Sequence, residues 1–427
     1  MATNQRTLPP ESETSNPAID QPICSMPGGT SARVTIETPR VALVHEWLTT
    51  YAGSERVFEQ LLHCFDDAAL HAVCDFLSHD ERAFLGNRPV QTSFIQWLPL
   101  ARRTFRKLLP LSTLAIEQFD LSAYDVVISS NHAVAKGVLT GPDQLHISYV
   151  HTPMRYAWDL QHQYLRESGL DHGLKSWIAR AVLQYLRLWD QAAANRVDVF
   201  VANSRYIARR IKKCYRRKAH VVYPPVDVDA FEFCEQKDDF YLIASRMVPY
   251  KRVDLVVQAF SRMPQRKLVV IGDGPDMARV RALAGPNVEL LGYQSIEALR
   301  DYMQRARAFV FAAEEDFGIT PVEAQACGTP VIAFGRGGVT ETVVDGETGV
   351  FFDRQTPASL QAAVERFESE AGRFDPYRIR ANSERFAIDQ FRERFSRLVQ
   401  RAWRRYQRGI DRPSQFEFRN RRPHKSR

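Results

Sequence analysis

The residues with the clearest chemical potential lie in Glu315-Asp316-Phe317-Gly318-Ile319-Thr320-Pro321-Val322-Glu323, an E-x7-E arrangement after the apolar run Phe309-Val310-Phe311. Thr320 suits an N-cap, Pro321 the first helical position, and Glu323 closes a T-x-x-E capping box. The segment therefore predicts a helix whose N-terminus meets the end of a strand, a ready site for an anion. Capping alone accounts for Glu323 and leaves Glu315 and Gly318 without a role. A second cluster, Ser245-Arg246-Met247-Val248-Pro249-Tyr250-Lys251, leaves another apolar run. Arg246 and Lys251 are either solvated surface cations or a fixed pair suited to a diphosphate that gains charge as it departs. Gly53 precedes a helical pattern, where a glycine serves a turn or lets the backbone approach a phosphate closely. His151, in Tyr149-Val150-His151-Thr152-Pro153, ends a strand pattern, and is either structural or within reach of a ligand.

Two further patterns are set aside. Gly272-Asp273-Gly274-Pro275-Asp276-Met277 starts like a dinucleotide fingerprint, lacks its third glycine and carries an ill-placed proline. Asp227-Val228-Asp229 has the D-x-D form of some metal sites but falls in a proline-rich linker.

The elements around these residues alternate. Strands are expected at Arg40–Val44, Val126–Ser129, His146–Val150 and Val197–Ala202, with a helix from Gly53 to Leu62 capped by Ser54 and a long one over Leu174–Ala194. Tyr223-Pro224-Pro225-Val226-Asp227 forms a stiff linker. The alternation then restarts with strands at Phe240–Ser245, Lys267–Gly272, Val288–Leu291, Phe309–Phe311 and Pro330–Ala333, and helices at Val253–Phe260, Ile296–Ala306 and Pro321–Cys327. An amphipathic helix over Arg385–Gln407 closes the ordered chain. This is an α/β protein with two doubly wound, Rossmann-like domains. Such sheets bind ligands beyond the carboxyl ends of their strands, where the residues above lie. The expected organisation is a disordered leader over 1–39, an N-terminal domain over 40–228, a C-terminal domain over 229–384, a helix over 385–410 returning to the N-terminal domain, and a basic tail over 411–427.

Composition agrees. The 427 residues are 44% hydrophobic and 25% charged, which allows two real cores. The net charge of +7 suits anionic partners without choosing among them. The six cysteines form no C-x-x-C pair, so neither a zinc site nor a disulfide framework is expected. The N-terminus lacks the apolar stretch of a secretory signal, and no run reaches the length of a membrane span. The chain is expected in the cytoplasm or on the inner face of the cell membrane. The basic tail carries no nucleic-acid motif, and no nucleic-acid partner is expected.

Taken together, these motifs resemble glycosyltransferase family 4, which has the GT-B fold of two Rossmann-like domains facing a central cleft. The likeness runs from Arg40 to Gln407. It is carried by the E-x7-E motif, the Ala326-Cys327-Gly328-Thr329-Pro330-Val331 segment, Gly337-Gly338, Val201-Ala202-Asn203-Ser204 and Val222 to Asp227. The resemblance implies retaining transfer from a nucleoside-diphosphate sugar without a bound metal or other cofactor. It implies that Arg246 and Lys251, with Ser245 beside them, hold the donor diphosphate and stabilise its departure. Glu323 would bind ribose hydroxyls and Glu315 the sugar. Gly318 and Ile319 would offer backbone N–H groups, and Gly53 would approach the phosphates from the other domain. Tyr293 would lie at the base, and His151 at the sugar near the anomeric centre. Many members carry a glycine where this chain has Asp316.

Tyr149 to Asp159 and Ala313 to Ile319 resemble the WbaZ-like mannosyltransferase branch. That branch implies GDP-mannose as donor and a polyprenyl-diphosphate-linked saccharide as acceptor in surface polysaccharide synthesis. Within residues 94–119, a helix over Leu100–Leu109 would put Ala101, Phe105, Leu108 and Leu109 on one face and Arg102, Arg103, Arg106 and Lys107 on another, with Trp97 before it. Such a helix either packs on its own sheet or lies on an anionic membrane. A UDP-sugar transferase, a nucleotide-sugar epimerase and a non-catalytic nucleotide-sugar sensor are the alternatives.

Overall fold

The computed structural model describes residues 39–410. The expected tail, and the leader up to residue 38, fall outside the described residues. Seven strands form the first sheet: β1 (Val41–Leu48), β2 (Ala69–Asp75), β3 (Val90–Thr92), β4 (Val126–Asn131), β5 (Leu145–Val150), β6 (Val199–Ala202) and β7 (Ala219–Val221). Six form the second: β8 (Tyr241–Ala244), β9 (Leu268–Ile271), β10 (Val288–Gly292), β11 (Ala308–Phe311), β12 (Val331–Phe334) and β13 (Gly349–Phe352). Their orders are β3-β2-β1-β4-β5-β6-β7 and β10-β9-β8-β11-β12-β13. The pairings are parallel, as in β1 with β4 and β8 with β11. β4, β5, β9 and β11 are buried along their whole length; β9 and β11 are apolar throughout, while β4 and β5 also bury Ser129, Ser130, Asn131, His146 and Ser148. In each sheet the order reverses between the first strand and the fourth, and that switch point opens a crevice at the carboxyl ends.

The helix Ile388–Ile410 starts later than its apolar pattern implied. Phe391, Phe395 and Val399 on its inner face belong to the core built on β1 and β5. The two phenylalanine rings stack at 5.7 Å, and Tyr149 meets Phe391 edge-on at 5.9 Å. The chain's last described helix thus ties the C-terminal domain's sequence to the N-terminal sheet.

The single helix expected over Leu100–Leu109 does not form. A short helix Ala101–Thr104 ends in a turn, and a second runs Leu109–Ile116. Pro110 explains the break, because in a continuous helix its ring would clash with the carbonyl of Arg106. Ala101, Phe105 and Leu109 are buried in the N-terminal domain, while Arg102, Arg103, Arg106 and Lys107 remain exposed.

Phe395 is fully buried among aromatic neighbours. Phe395→Ala is expected to destabilise the protein by about 3–5 kcal/mol through lost burial and the cavity left behind. Chemical denaturation of the full chain followed by tryptophan fluorescence measures it, and a change below about 1 kcal/mol would mean the helix contributes little to this core.

Candidate functional site

The two crevices face each other across one cavity of about 620 Å³. From the sequence-derived set it is lined by Gly53, His151, Lys251, Glu315, Gly318, Ile319 and Glu323. Ser245 and Arg246 follow β8 just before Lys251 but lie outside the lining, and Arg246 is exposed. Tyr293, after the edge strand β10, is 82% exposed and also outside it.

The backbone at Glu315–Gly318 is shaped by two glycines. A Cβ on Gly337 would come within 2.4 Å of the Glu315 carbonyl, and one on Gly338 within 2.3 Å of the Asp316 carbonyl. Gly338 instead donates its N–H to Glu315 O at 2.7 Å. The helix that follows runs Ile319–Ala326 with Gly318, at φ +85°, in the capping position. The helix therefore starts before Thr320, which does not cap it. Pro321 sits in the first turn rather than at its first residue. The Glu323 carboxylate closes no capping box; it accepts from Arg56 Nη1 of the other domain at 2.7 Å. The helix Gly53–Cys64 is likewise capped at Ala52 rather than Ser54, with Glu55 Oε2 accepting the Ala52 N–H at 3.1 Å. Gly53 lies 3.4 Å, measured from an added Cβ, from the Ile319 side chain across the cleft.

Lys251 ends a single 3-10 turn, Pro249–Lys251, and is ion-paired with Glu315. Burial, with the Arg155 charge beside it, lowers its amine to about 8. His151 is fixed through Nε2 to Ser130 Oγ at 2.9 Å, and its carbonyl accepts from Asn203 at 3.0 Å. Burial, reinforced by the nearby His132 and His45, pushes His151 down to about 3, so at neutral pH it is a neutral hydrogen-bonding group.

Sequence reasoning missed the residues that join the domains. Asp316 is ion-paired with Arg155, and Arg210 Nη1 lies 3.4 Å from its Oδ1. Ser204 Oγ donates to the Asp316 carbonyl at 2.6 Å. Glu341 accepts the N–H groups of Arg205 and Tyr206 at 2.8 and 2.9 Å, capping the helix Arg205–Tyr215 from the other domain. Asp316 thus meets two arginines of the N-terminal domain. Also missed was a pair at the floor of the cleft: Glu46, buried near the end of β1, and half-buried His132 just after β4. Among the described residues, no group of three or more His, Cys, Asp or Glu is placed to hold a metal ion.

Comparison with known proteins adds the following. Residues 51–230 match the family model "Glycosyltransferase Family 4", and residues 228–384 match "Glycosyl transferases group 1". An alpha-(1-6)-phosphatidylinositol monomannoside mannosyltransferase of Mycolicibacterium smegmatis, named as GDP-mannose-dependent, is 29% identical over 201 residues. That covers 40% of this chain and 53% of the relative. A D-inositol 3-phosphate glycosyltransferase of Mycobacterium leprae is 30% identical over 189 residues, covering 38% and 43%. The chain spans about half the length of the curated relatives it matches. Among solved structures, sucrose-phosphate synthase of Thermosynechococcus elongatus superposes with a TM-score of 0.64 at 16% identity, over 86% of this chain and 100% of that one. HepE of Anabaena in complex with UDP superposes at 0.62 and 16%, over 84% and 99%. The fold is GT-B.

Removing the Asp316 carboxylate leaves Arg155 without its ion-pair partner at a partly buried interface, while Arg210 keeps Asp159. Asp316→Ala is expected to cost about 2–3 kcal/mol, discounted for partial exposure, and to loosen the two domains. Thermal denaturation and small-angle scattering check this; an unchanged midpoint and radius of gyration would show that the pairing does not hold the cleft.

Proposed function

This chain joins a Glycosyltransferase Family 4 domain to a Glycosyl transferases group 1 domain on the GT-B fold, and from that premise we propose that it is a hexosyltransferase using a nucleoside-diphosphate sugar. The observation that carries the reading is the convergence of Lys251, Glu315, Gly318 and Glu323 of one domain with Gly53 and His151 of the other in a single cavity. The donor diphosphate lies by Lys251 and the N-terminus of the helix Ile319–Ala326, where N–H groups and cationic charge favour an anion. Arg246, at the mouth, joins Lys251 as charge builds on the departing diphosphate. That charge is greatest in the transition state, so these cations speed the reaction rather than only tightening the complex. Glu315 and His151 hold the sugar, and Glu323 the ribose. Transfer is retaining, as the family resemblance implies.

The donor is GDP-mannose and the acceptor a polyprenyl-diphosphate-linked saccharide, a reading supported by the likeness to the WbaZ-like branch and by the GDP-mannose-dependent relative. The protein works at the inner face of the cell membrane. In support, Trp97 is 82% and Leu100 68% exposed beside Arg102, Arg103, Arg106 and Lys107. The outer face of the helix Gly173–Ala194 adds exposed Leu174, Trp177, Ile178 and Leu188. Apolar side chains flanked by cations suit an anionic bilayer surface. No described helix is long and apolar enough to cross a membrane.

A thermal-shift panel with GDP, GDP-mannose, UDP-glucose and UDP-N-acetylglucosamine tests the donor. Binding at about 100 times Kd stabilises by about 2.7 kcal/mol. A response to the guanosine compounds alone is expected; a response to the uridine compounds alone sinks the mannosyl assignment and leaves the transferase. Lys251→Ala is expected to lower kcat by about 10²–10³-fold. Because Lys251 loses its proton above about 8, kcat/KM of the wild type falls as pH rises through that value, and Lys251→Arg removes the decline. Reversing the charge of Arg102, Arg103, Arg106 and Lys107 together is expected to abolish sedimentation with anionic vesicles; unchanged sedimentation rules out this membrane contact.

A further inference from the structure

The three carboxylates that line the cavity are each already held by a cation. Arg56 holds Glu323, Arg155 and Arg210 hold Asp316, and Lys251 holds Glu315. The first two arrangements join the domains. The third joins two residues of one domain that the proposed reading gives to different parts of one ligand: the amine to the diphosphate, the carboxylate to the sugar. Their side chains are only 20% and 18% exposed. Neither charge is left bare there without a desolvation penalty.

The carboxylate is the fixed member of the pair. Glu315 forms a bridge to Gly337, and its carbonyl accepts the Gly338 N–H at 2.7 Å. Lys251 is the adjustable member, on a four-carbon stem at the end of the turn Pro249–Lys251. Its amine also lies 5.5 Å over the Tyr250 ring, a face that favours a cation. An arriving diphosphate draws this amine away from Glu315. The arginines of the lining do not replace it, because Arg155 is held by Asp316 and Arg56 by Glu323. Glu315 then needs hydrogen-bond donors from the ligand. The hydroxyls of a sugar supply them; a free nucleoside diphosphate has none at that place.

We infer that Glu315 is a specificity-determining residue that separates donor from product: by competing for Lys251 it weakens the hold on a free nucleoside diphosphate and spares the intact sugar nucleotide. This rests on the proposed glycosyl transfer. A bound donor replaces one ion pair by an amine–diphosphate contact and by hydrogen bonds from the sugar to the carboxylate. The product keeps the first and lacks the second, and leaves a mostly buried carboxylate without a partner. Sites built to bond a hydroxyl reject ligands that lack it for this reason. Once the sugar has passed to the acceptor, Glu315 retakes Lys251 and the diphosphate is displaced. The pair therefore acts on product release, a slow step in many enzymes that close around their ligands. Glu323 does not discriminate in this way, because the ribose is present in donor and product alike.

The test is titration calorimetry of the full chain, without acceptor, using GDP, GDP-mannose, UDP and UDP-glucose, so that it does not depend on which base the cleft takes. Glu315→Gln is expected to tighten binding of the nucleoside diphosphate by about five- to tenfold and to leave the sugar nucleotide unchanged or weaker. Glu323→Gln removes a carboxylate from the same cleft and should move both ligands together; it controls for the gain that any anion makes from lost negative charge. Lys251→Gln should gain no diphosphate affinity when Glu315→Gln is added to it. Binding by each variant also shows that it folds. Glu315→Gln that leaves diphosphate affinity unchanged, or that tightens diphosphate and sugar nucleotide equally, overturns the discriminating role alone, as does a gain in the double variant. Wild type that binds none of the four ligands overturns the glycosyltransferase reading and this role together.

Discussion

The Asp316 carboxylate sits between two guanidiniums of the other domain, and much of the cleft is arranged around holding it there. Arg155 and Arg210 come from the segment after β5 and from the helix Arg205–Tyr215, and Ser204 fixes the same residue through its carbonyl. For that contact to form, the chain at Glu315–Gly318 must run close beneath Gly337 and Gly338, which only residues lacking a Cβ allow. Once it does, Glu315 is delivered to Lys251 and the helix Ile319–Ala326 points its N-terminus into the cavity. These ion pairs thus link the contact between the domains to the geometry of Lys251 and Glu315.

Much of this was legible in the sequence. The strand runs stood out because strands buried on both faces are mostly apolar, and the linker because consecutive prolines cannot continue an element. Gly53, His151, Lys251, Glu315, Gly318, Ile319 and Glu323 converge because each follows a strand of a parallel sheet, where position along the chain predicts position in space. The errors were local or relational. Thr320 and Pro321 carry the marks of a helix start, yet the glycine bend at Gly318 begins the helix sooner. Residues 100–109 have the periodicity of one helix, but Pro110 acts on the carbonyl four residues before it. Arg155 and Arg210 were not legible because their meaning depends on Asp316, far away in sequence. Glu46 and His132 also lie near the ends of strands, and the same rule about carboxyl ends would have found them; a glutamate inside an apolar run was the overlooked signal.

The electrostatics of the cleft divide by domain. The C-terminal side presents Lys251, buried enough to sit near 8 but still mostly protonated at neutral pH, while Arg246 is exposed outside the cavity lining. The N-terminal side presents imidazoles in different states. His151, deprived of water and facing other histidines, is neutral; His132, backed by Glu46, is drawn toward the charged form. The same residue type is thus held in two different states within one cavity, set apart by what stands behind each ring.

The Arg56–Glu323 pair fits that logic. Glu323 is nearly buried, while the Arg56 side chain is 39% exposed, so the pair is half in water and contributes little to stability by itself. It keeps the carboxylate oriented and partnered across the cleft. A carboxylate left bare at the same place would have to be desolvated afresh by every ligand. The interdomain pairs therefore differ in kind: Asp316 meets two mostly buried arginines, Glu323 one that is half in water.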